Sequence, residues 1–106
     1  MASSKIDQMR ELVNRFPGDG RARYFLAHEL MRAGDWAEAA EHYEAYLRLV
    51  PGDEGMGYKS YGKCLEELGR PADAALTYRR GIENALAHHH EGLAAEIREA
   101  LEQIEG

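Results

Sequence analysis

His88, His89, His90 and Glu91 stand in a row and form the densest group of chemistry-bearing side chains in the chain. Imidazole and carboxylate are ligands for zinc and other transition metals. Successive helical positions diverge by about 100°, so three adjacent rings converge on one ion only where the segment is a loop. No HExxH, CxxC or spaced Asp/His set accompanies the triplet. The expectation is a polar junction between two helices that charges below neutral pH. A metal site on His88–His90 is the remote alternative, and no cofactor is expected.

Cys64 is the single cysteine, which excludes an internal disulfide framework and a cysteine-rich zinc site. It lies in an apolar-periodic segment and reads as a buried, inert thiol. The sequence contains no nucleophile beside a base, no paired-carboxylate constellation and no glycine loop of the phosphate-cradling kind. The chain is therefore not expected to be an enzyme, and its function must lie in a surface.

The 106 residues suffice for one domain, with 44% apolar residues for a core and 30% charged residues. Mean hydropathy is −0.58, and no apolar run approaches the roughly 20 residues that a membrane-spanning helix needs. The opening MASSKIDQMREL has no apolar signal-peptide core, which gives a cytoplasmic location as the expectation. A net charge of −6 argues against a general affinity for nucleic acid. Five Glu against one Arg between Glu91 and Gly106 supply −4 of it, leaving the remainder close to balanced.

FPGD at Phe16–Asp19 returns as VPGD at Val50–Asp53, and a shift of 34 also aligns Met9, Leu12 and Val13 with Tyr43, Tyr46 and Leu47. A shift of 35 aligns Leu26, Ala27, Leu30, Gly34, Ala39, Ala40 and Tyr43 with Tyr61, Gly62, Leu65, Gly69, Ala74, Ala75 and Tyr78. The extra residue falls in PGDEG, where an insertion costs little. Periods of this length mark stacked arrays, because one unit cannot bury its apolar face alone.

Each unit reads as helices. Ile6, Met9, Leu12, Val13 and Phe16 have helical spacing behind a Ser4–Asp7 capping signature, and Pro17 stops the run. A second helix is predicted over about 20–33, capped by Asp19 and ended by Gly34. A third opens at Asp35, with Trp36 packing at its start, and closes at Pro51. A fourth covers about 55–68, and a fifth starts at Pro71 and runs to about Ala85. Leu93, Ala94, Ile97, Ala100, Leu101 and Ile104 give a sixth amphipathic helix that covers the end of the stack with its Glu-rich face outward.

This spacing resembles the tetratricopeptide repeat (TPR), W-x2-L-G-x2-Y followed by A-x3-F and a final P. In 20–53 the matching residues are Leu26, Ala27, Leu30, Gly34, Ala39, Tyr43 and Pro51. Arg23 departs from the pattern at the Trp position, and Tyr46 departs at the second small position. In 54–87 they are Tyr58, Tyr61, Gly62, Leu65, Gly69, Ala74, Tyr78 and Gly81, without the final proline. Segment 4–19 is similar to the second helix of a preceding repeat, and 91–105 to the first helix of a following one. The resemblance implies a single all-α domain, a right-handed α-solenoid of antiparallel helix pairs with about six helices. Small residues at Ala27, Ala39, Gly62 and Ala74 then let backbones approach, while Tyr43, Tyr58 and Tyr78 fill the spaces between pairs.

The resemblance also implies a non-catalytic interaction module, a scaffold or adaptor that binds a peptide or helix of a partner protein in its concave groove. Carried over by position, the groove residues are Arg21, Tyr24, His28, Met31 and Arg32, then Met56, Lys59, Lys63, Glu66 and Glu67, with Ala95 and Arg98 from the last helix. The set is locally basic, which points to a partner segment that is acidic or ends in a carboxylate. No Asn is present for the terminal-carboxylate clamp of members that hold chaperone tails. No nucleic-acid or membrane partner is expected. The alternative is a structural, self-associating array in which Ile6, Met9, Ile97, Leu101 and Ile104 form a self-complementary patch, giving a monomer or weak homodimer.

Overall fold

Prolines, glycines and capping aspartates partition the chain as their backbone chemistry requires. The computed structural model describes residues 4–106, which form six helices and no strand. They are α1 (Lys5–Arg15), α2 (Gly20–Arg32), α3 (Trp36–Leu49), α4 (Met56–Glu67), α5 (Pro71–Ala87) and α6 (Glu91–Glu105). Ser4 Oγ accepts the Asp7 N–H at 3.1 Å, while the Asp7 carboxylate turns to Arg10, so only half of a capping box forms. Asp19 and Asp35 cap α2 and α3 by accepting the N–H of Ala22 and of Glu38, each at 3.2 Å.

Helices α2 and α4 end in Schellman motifs. Gly34 (φ 81°) and Gly69 (φ 73°) take the left-handed position, and the next amides, Asp35 and Arg70, donate to Leu30 and Leu65 carbonyls at 2.9 Å. Helix α5 ends in the same motif without a glycine. His89 adopts φ 62°, and the His90 N–H donates to the Ala85 carbonyl at 2.8 Å. With no proline to stop it, α5 continues to Ala87, two residues past the end predicted from the sequence.

Each helix packs on its neighbours in the chain, and α2 also reaches α4. The radius of gyration is 14.0 Å, against about 13 Å for a compact chain of this length. The extents of 47 × 28 × 19 Å agree with a stack that grows in one direction.

Two buried clusters hold the pairs together. Val13, Leu26, Leu30, Ala39, Tyr43 and Cys64 belong to the first, and Leu65, Ala74, Tyr78, Ile97 and Leu101 to the second, with Tyr61 packed on both. Trp36 packs on the first. Tyr43 and Tyr78 are fully buried wedges, and Gly62 makes the room for one of them. A Cβ at Gly62 would lie 2.2 Å from Tyr78 Cε1. Burial pushes the Cys64 thiol up to about 11, which keeps it protonated and unreactive near neutral pH. Arg23, in the place of the family's Trp, uses its guanidinium to bridge the Pro17 carbonyl and His42 Nδ1, each at 3.2 Å.

The self-complementary patch expected from the sequence does not exist as a surface. Ile97 and Leu101 are buried, and Ile6, Met9 and Ile104 pack against the two clusters. The terminal helices bury these residues inside their own chain, because they lie on the side of α1 or α6 that meets the stack.

Candidate functional site

The second PGD turn is built differently from the first. Asp53 sits three residues before Met56, the first residue of α4, and reaches forward, its Oδ1 accepting the N–H of Gly55 at 2.8 Å and of Gly57 at 2.9 Å. Its Oδ2 accepts the Tyr46 hydroxyl at 2.6 Å. The residue inserted in PGDEG gives this carboxylate its reach. Gly55 adopts φ 128°, and a Cβ there would press on Leu93 and Ala85.

Tyr46 fills a position where the repeat pattern asks for a small residue, and Gly57 makes the room for its ring, while Gly20 makes room for the neighbouring Val50 and touches Tyr46. A Cβ on Gly57 would lie 2.7 Å from Tyr46 Cε2, and one on Gly20 would lie 2.9 Å from Val50 Cγ2. The ring is therefore seated between the first turns of α2 and α4. Tyr24 packs on it with centroids 5.0 Å apart, and also meets Tyr43 edge-on at 5.9 Å and Phe25 at 6.4 Å. Burial, then the hydrogen bond to Asp53, raise the Tyr46 phenol above its ordinary range. It remains a donor at any physiological pH.

Around this aromatic group lies an open trough. One cavity of about 840 Å³ is lined by Tyr46, Val50, Gly52, Asp53, Glu54, Met56 and the segment His89–Leu93. A second, of about 360 Å³, is lined by Arg21, Tyr24, Phe25, Tyr46, Val50 and Asp53. The two share Tyr46, Val50 and Asp53, so the trough crosses the first turns of α2, α4 and α6. Phe25 is 50% exposed and Met56 46% exposed along it.

Of the groove residues named from the sequence, Arg21, Tyr24 and Met56 line this trough. The others are placed differently. Met31 turns inward, its sulfur 3.9 Å from the Tyr43 hydroxyl. His28 stacks on Tyr24 at 6.4 Å, with its Nδ1 buried and unpartnered. Arg32 pairs with Glu29 at 3.5 Å, and Glu66 accepts the hydroxyl of Tyr78. Lys59 pairs with Glu96 of α6 at 3.1 Å and Lys63 with Glu67 at 2.9 Å. The basic stripe expected on the inner face is thus largely neutralised within the chain, because each lysine has an acid one turn away or on the next inner helix. Arg21 and Arg98 form no ion pair among the described residues.

Sequence reasoning missed Phe25, Tyr46, Val50, Glu54 and Leu93 as parts of this surface. Gly57, unusual inside a first helical turn, was the available signal for Tyr46.

The histidine triplet is a turn and not a helix. His88 caps α5, His89 takes the left-handed position and His90 precedes α6. His88 and His90 flank the Glu54 carboxylate, with nitrogen–oxygen distances of 3.4 and 3.3 Å and ring centroids 6.4 Å apart. Among the described residues no three His, Cys, Asp or Glu side chains are grouped so as to hold a metal ion. Among the described residues no helix is long and apolar enough to cross a membrane.

The family model for the tetratricopeptide repeat matches this chain twice, over residues 6–54 and 26–87. Among solved structures, the chain is similar to the solution NMR structure of a tetratricopeptide repeat domain protein from Salinibacter ruber. The two are 32% identical, with a TM-score of 0.75 over 85% of this chain and 90% of that one. No curated protein matches the chain.

Proposed function

Because this chain belongs to the tetratricopeptide repeat family, whose repeats are in general protein-interaction modules, we propose that it holds a peptide or helix of a partner protein on the face formed by α2, α4 and α6. One observation carries this reading. Tyr24, Phe25, Tyr46 and Met56 gather around a trough in which Phe25 and Met56 stay about half exposed, although the chain has two well-filled cores. Aromatic, methionine and arginine side chains are those enriched at the centres of protein interfaces. Non-catalytic action fits the same surface, which offers rigid apolar contact and charged rims.

An acidic partner segment remains part of the proposal, with a changed anchor. A carboxylate that approached Lys59 or Lys63 would displace Glu96 or Glu67 and exchange one exposed ion pair for another, a gain of roughly 0–1 kcal/mol. Arg21 and Arg98 require no such exchange.

The test is selection from a random 12-residue phage library followed by amide chemical-shift mapping of the selected peptides. Shifts concentrated in α2, α4 and α6 are expected. A footprint confined to α3 and α5, or the absence of any selected peptide, would remove the reading.

A second reading, weak self-association, is favoured by the end of α1, where Leu12 and the C-cap residue Phe16 are exposed. Sedimentation of Leu12→Lys against the parent chain tests it. An identical concentration dependence for the two would dismiss α1 as a contact.

A further inference from the structure

We propose that the trough takes an extended peptide with an apolar centre and oppositely charged ends, its acidic end at Arg21 and its basic end at Glu54 and Glu91. This rests on the partner-holding reading and specifies its ligand.

The trough has an apolar middle. Tyr46 is fixed there by Asp53 and packed by Tyr24, and Phe25, Met56 and Leu93 stand beside it. A floor that is already ordered loses little freedom on binding, so apolar contact made there counts almost fully toward affinity.

Its two ends differ in charge. At the α2 end stands Arg21, exposed and without an ion pair among the described residues. At the α6 end stand Glu54 and Glu91, both exposed. Glu91 has no ion pair among the described residues, and the only side chains facing Glu54 within ion-pairing distance are the imidazoles of His88 and His90. Neither neighbour is a lysine or arginine, so no permanent cation stands beside this carboxylate. Asp53, between the ends, spends both oxygens on Tyr46, Gly55 and Gly57 and is 9% exposed. A charge gradient across an apolar surface fixes the register and direction of a bound chain more than it adds affinity. The lysines elsewhere on the inner face are paired and contribute no comparable gradient.

The geometry favours an extended segment. The trough runs across three first turns and not along a helix, a path of two interhelical spacings of about 8–10 Å each. Roughly five or six extended residues at about 3.3 Å apiece cover that distance.

The experiment uses four fluorescein-labelled octapeptides sharing the centre Leu-Tyr-Leu-Phe, flanked by Asp pairs at both ends, Lys pairs at both ends, an Asp pair then a Lys pair, or a Lys pair then an Asp pair. Anisotropy is read at pH 8 on the full chain. One of the two mixed peptides is expected to bind at least tenfold more tightly than either like-charged peptide. Arg21→Glu should remove that advantage, and Arg21→Glu combined with Glu54→Lys and Glu91→Lys should transfer it to the other mixed peptide. Arg21, Phe25, Glu54, Met56 and Glu91 are all exposed or half exposed, and circular dichroism checks that each variant is folded. Equal binding of all four peptides, still weakened by Phe25→Ala, would overturn the charge gradient and leave the groove reading intact. Binding that ignores both Phe25→Ala and Met56→Ala would overturn the trough as the seat. No binding of any octapeptide would also overturn the proposal, while phage-selected peptides that still map to α2, α4 and α6 would preserve the broader reading.

Discussion

Tyr46 and Asp53 form one unit, in which the hydroxyl of the last turn of α3 rests on the carboxylate that caps α4. At 2.6 Å the bond is short, and the other carboxylate oxygen serves two amides. Asp53→Ala removes a helix cap, roughly 1–2 kcal/mol, and strands a partly buried hydroxyl, roughly another 1 kcal/mol. A loss of about 2–3 kcal/mol in urea unfolding is expected, with Tyr46→Phe costing about 1 kcal/mol. Equal, small effects from both would mean that the cap does not depend on the aspartate.

Two glycine substitutions should move stability in opposite directions. Gly62→Ala drives a Cβ into the Tyr78 ring, which is wedged between helices and cannot yield, so overpacking of roughly 1–3 kcal/mol outweighs the helix-propensity gain of up to about 1 kcal/mol. Gly92→Ala meets nothing within 4 Å and sits in the first turn of α6, so it should stabilise by up to about 1 kcal/mol. Thermal unfolding of the pair checks both signs.

His89→Gly should stabilise the chain by roughly 0.5–1 kcal/mol. The residue holds a left-handed conformation at φ 62°, in the place that Gly34 and Gly69 fill at the ends of α2 and α4. A higher thermal midpoint is the expected result, and a lower one would show that the imidazole contributes more than its backbone costs.

His42 should make stability fall on mild acidification. Burial first, then the Arg23 guanidinium, lower its pKa below the ordinary histidine value, with Glu38 and Glu41 opposing. Arg23 can only donate, so Nδ1 accepts and the neutral Nε2–H tautomer faces Glu38 at 3.4 Å. A group whose folded pKa is depressed binds fewer protons in the native state than in the unfolded state. Its contribution is complete above the unfolded value near 6.5 and is lost as pH falls through the folded value. Urea midpoints between pH 7.5 and 5.5 should decline less in His42→Gln than in the parent chain, and parallel declines would refute the assignment.

The helices, their caps and the buried tyrosines were legible in the sequence because each depends on local chemistry or on a short period. Pro17, Gly34, Pro51 and Gly69 act through their own backbones, and Leu26, Leu30, Tyr43 and Tyr78 recur with the repeat. The trough was not legible, because its parts come from different helices and are set by exceptions to the period. Tyr46 breaks the small-residue rule, the extra residue in PGDEG moves Asp53 away from the ordinary capping position, and the unproline-stopped α5 carries His88 and His90 to Glu54. The pairing of the lysines was illegible for a related reason. Position in a repeat predicts which way a side chain points, and it carries no information about whether an acid such as Glu96 waits on the adjacent helix.

The turn between α3 and α4 is fastened from further along the chain. The Asn84 side-chain amide, on α5, donates to the carbonyls of both Pro51 and Asp53 at 2.9 Å, and the Tyr58 hydroxyl donates to Pro51 as well. A helix that belongs to the later repeat therefore acts as the latch of the junction before it. Solenoids with only surface contact between units can fray one pair at a time from an end. Here, peeling away α5 releases the backbone segment that carries the α4 cap and the seat of Tyr46, so the array melts toward its middle as one block.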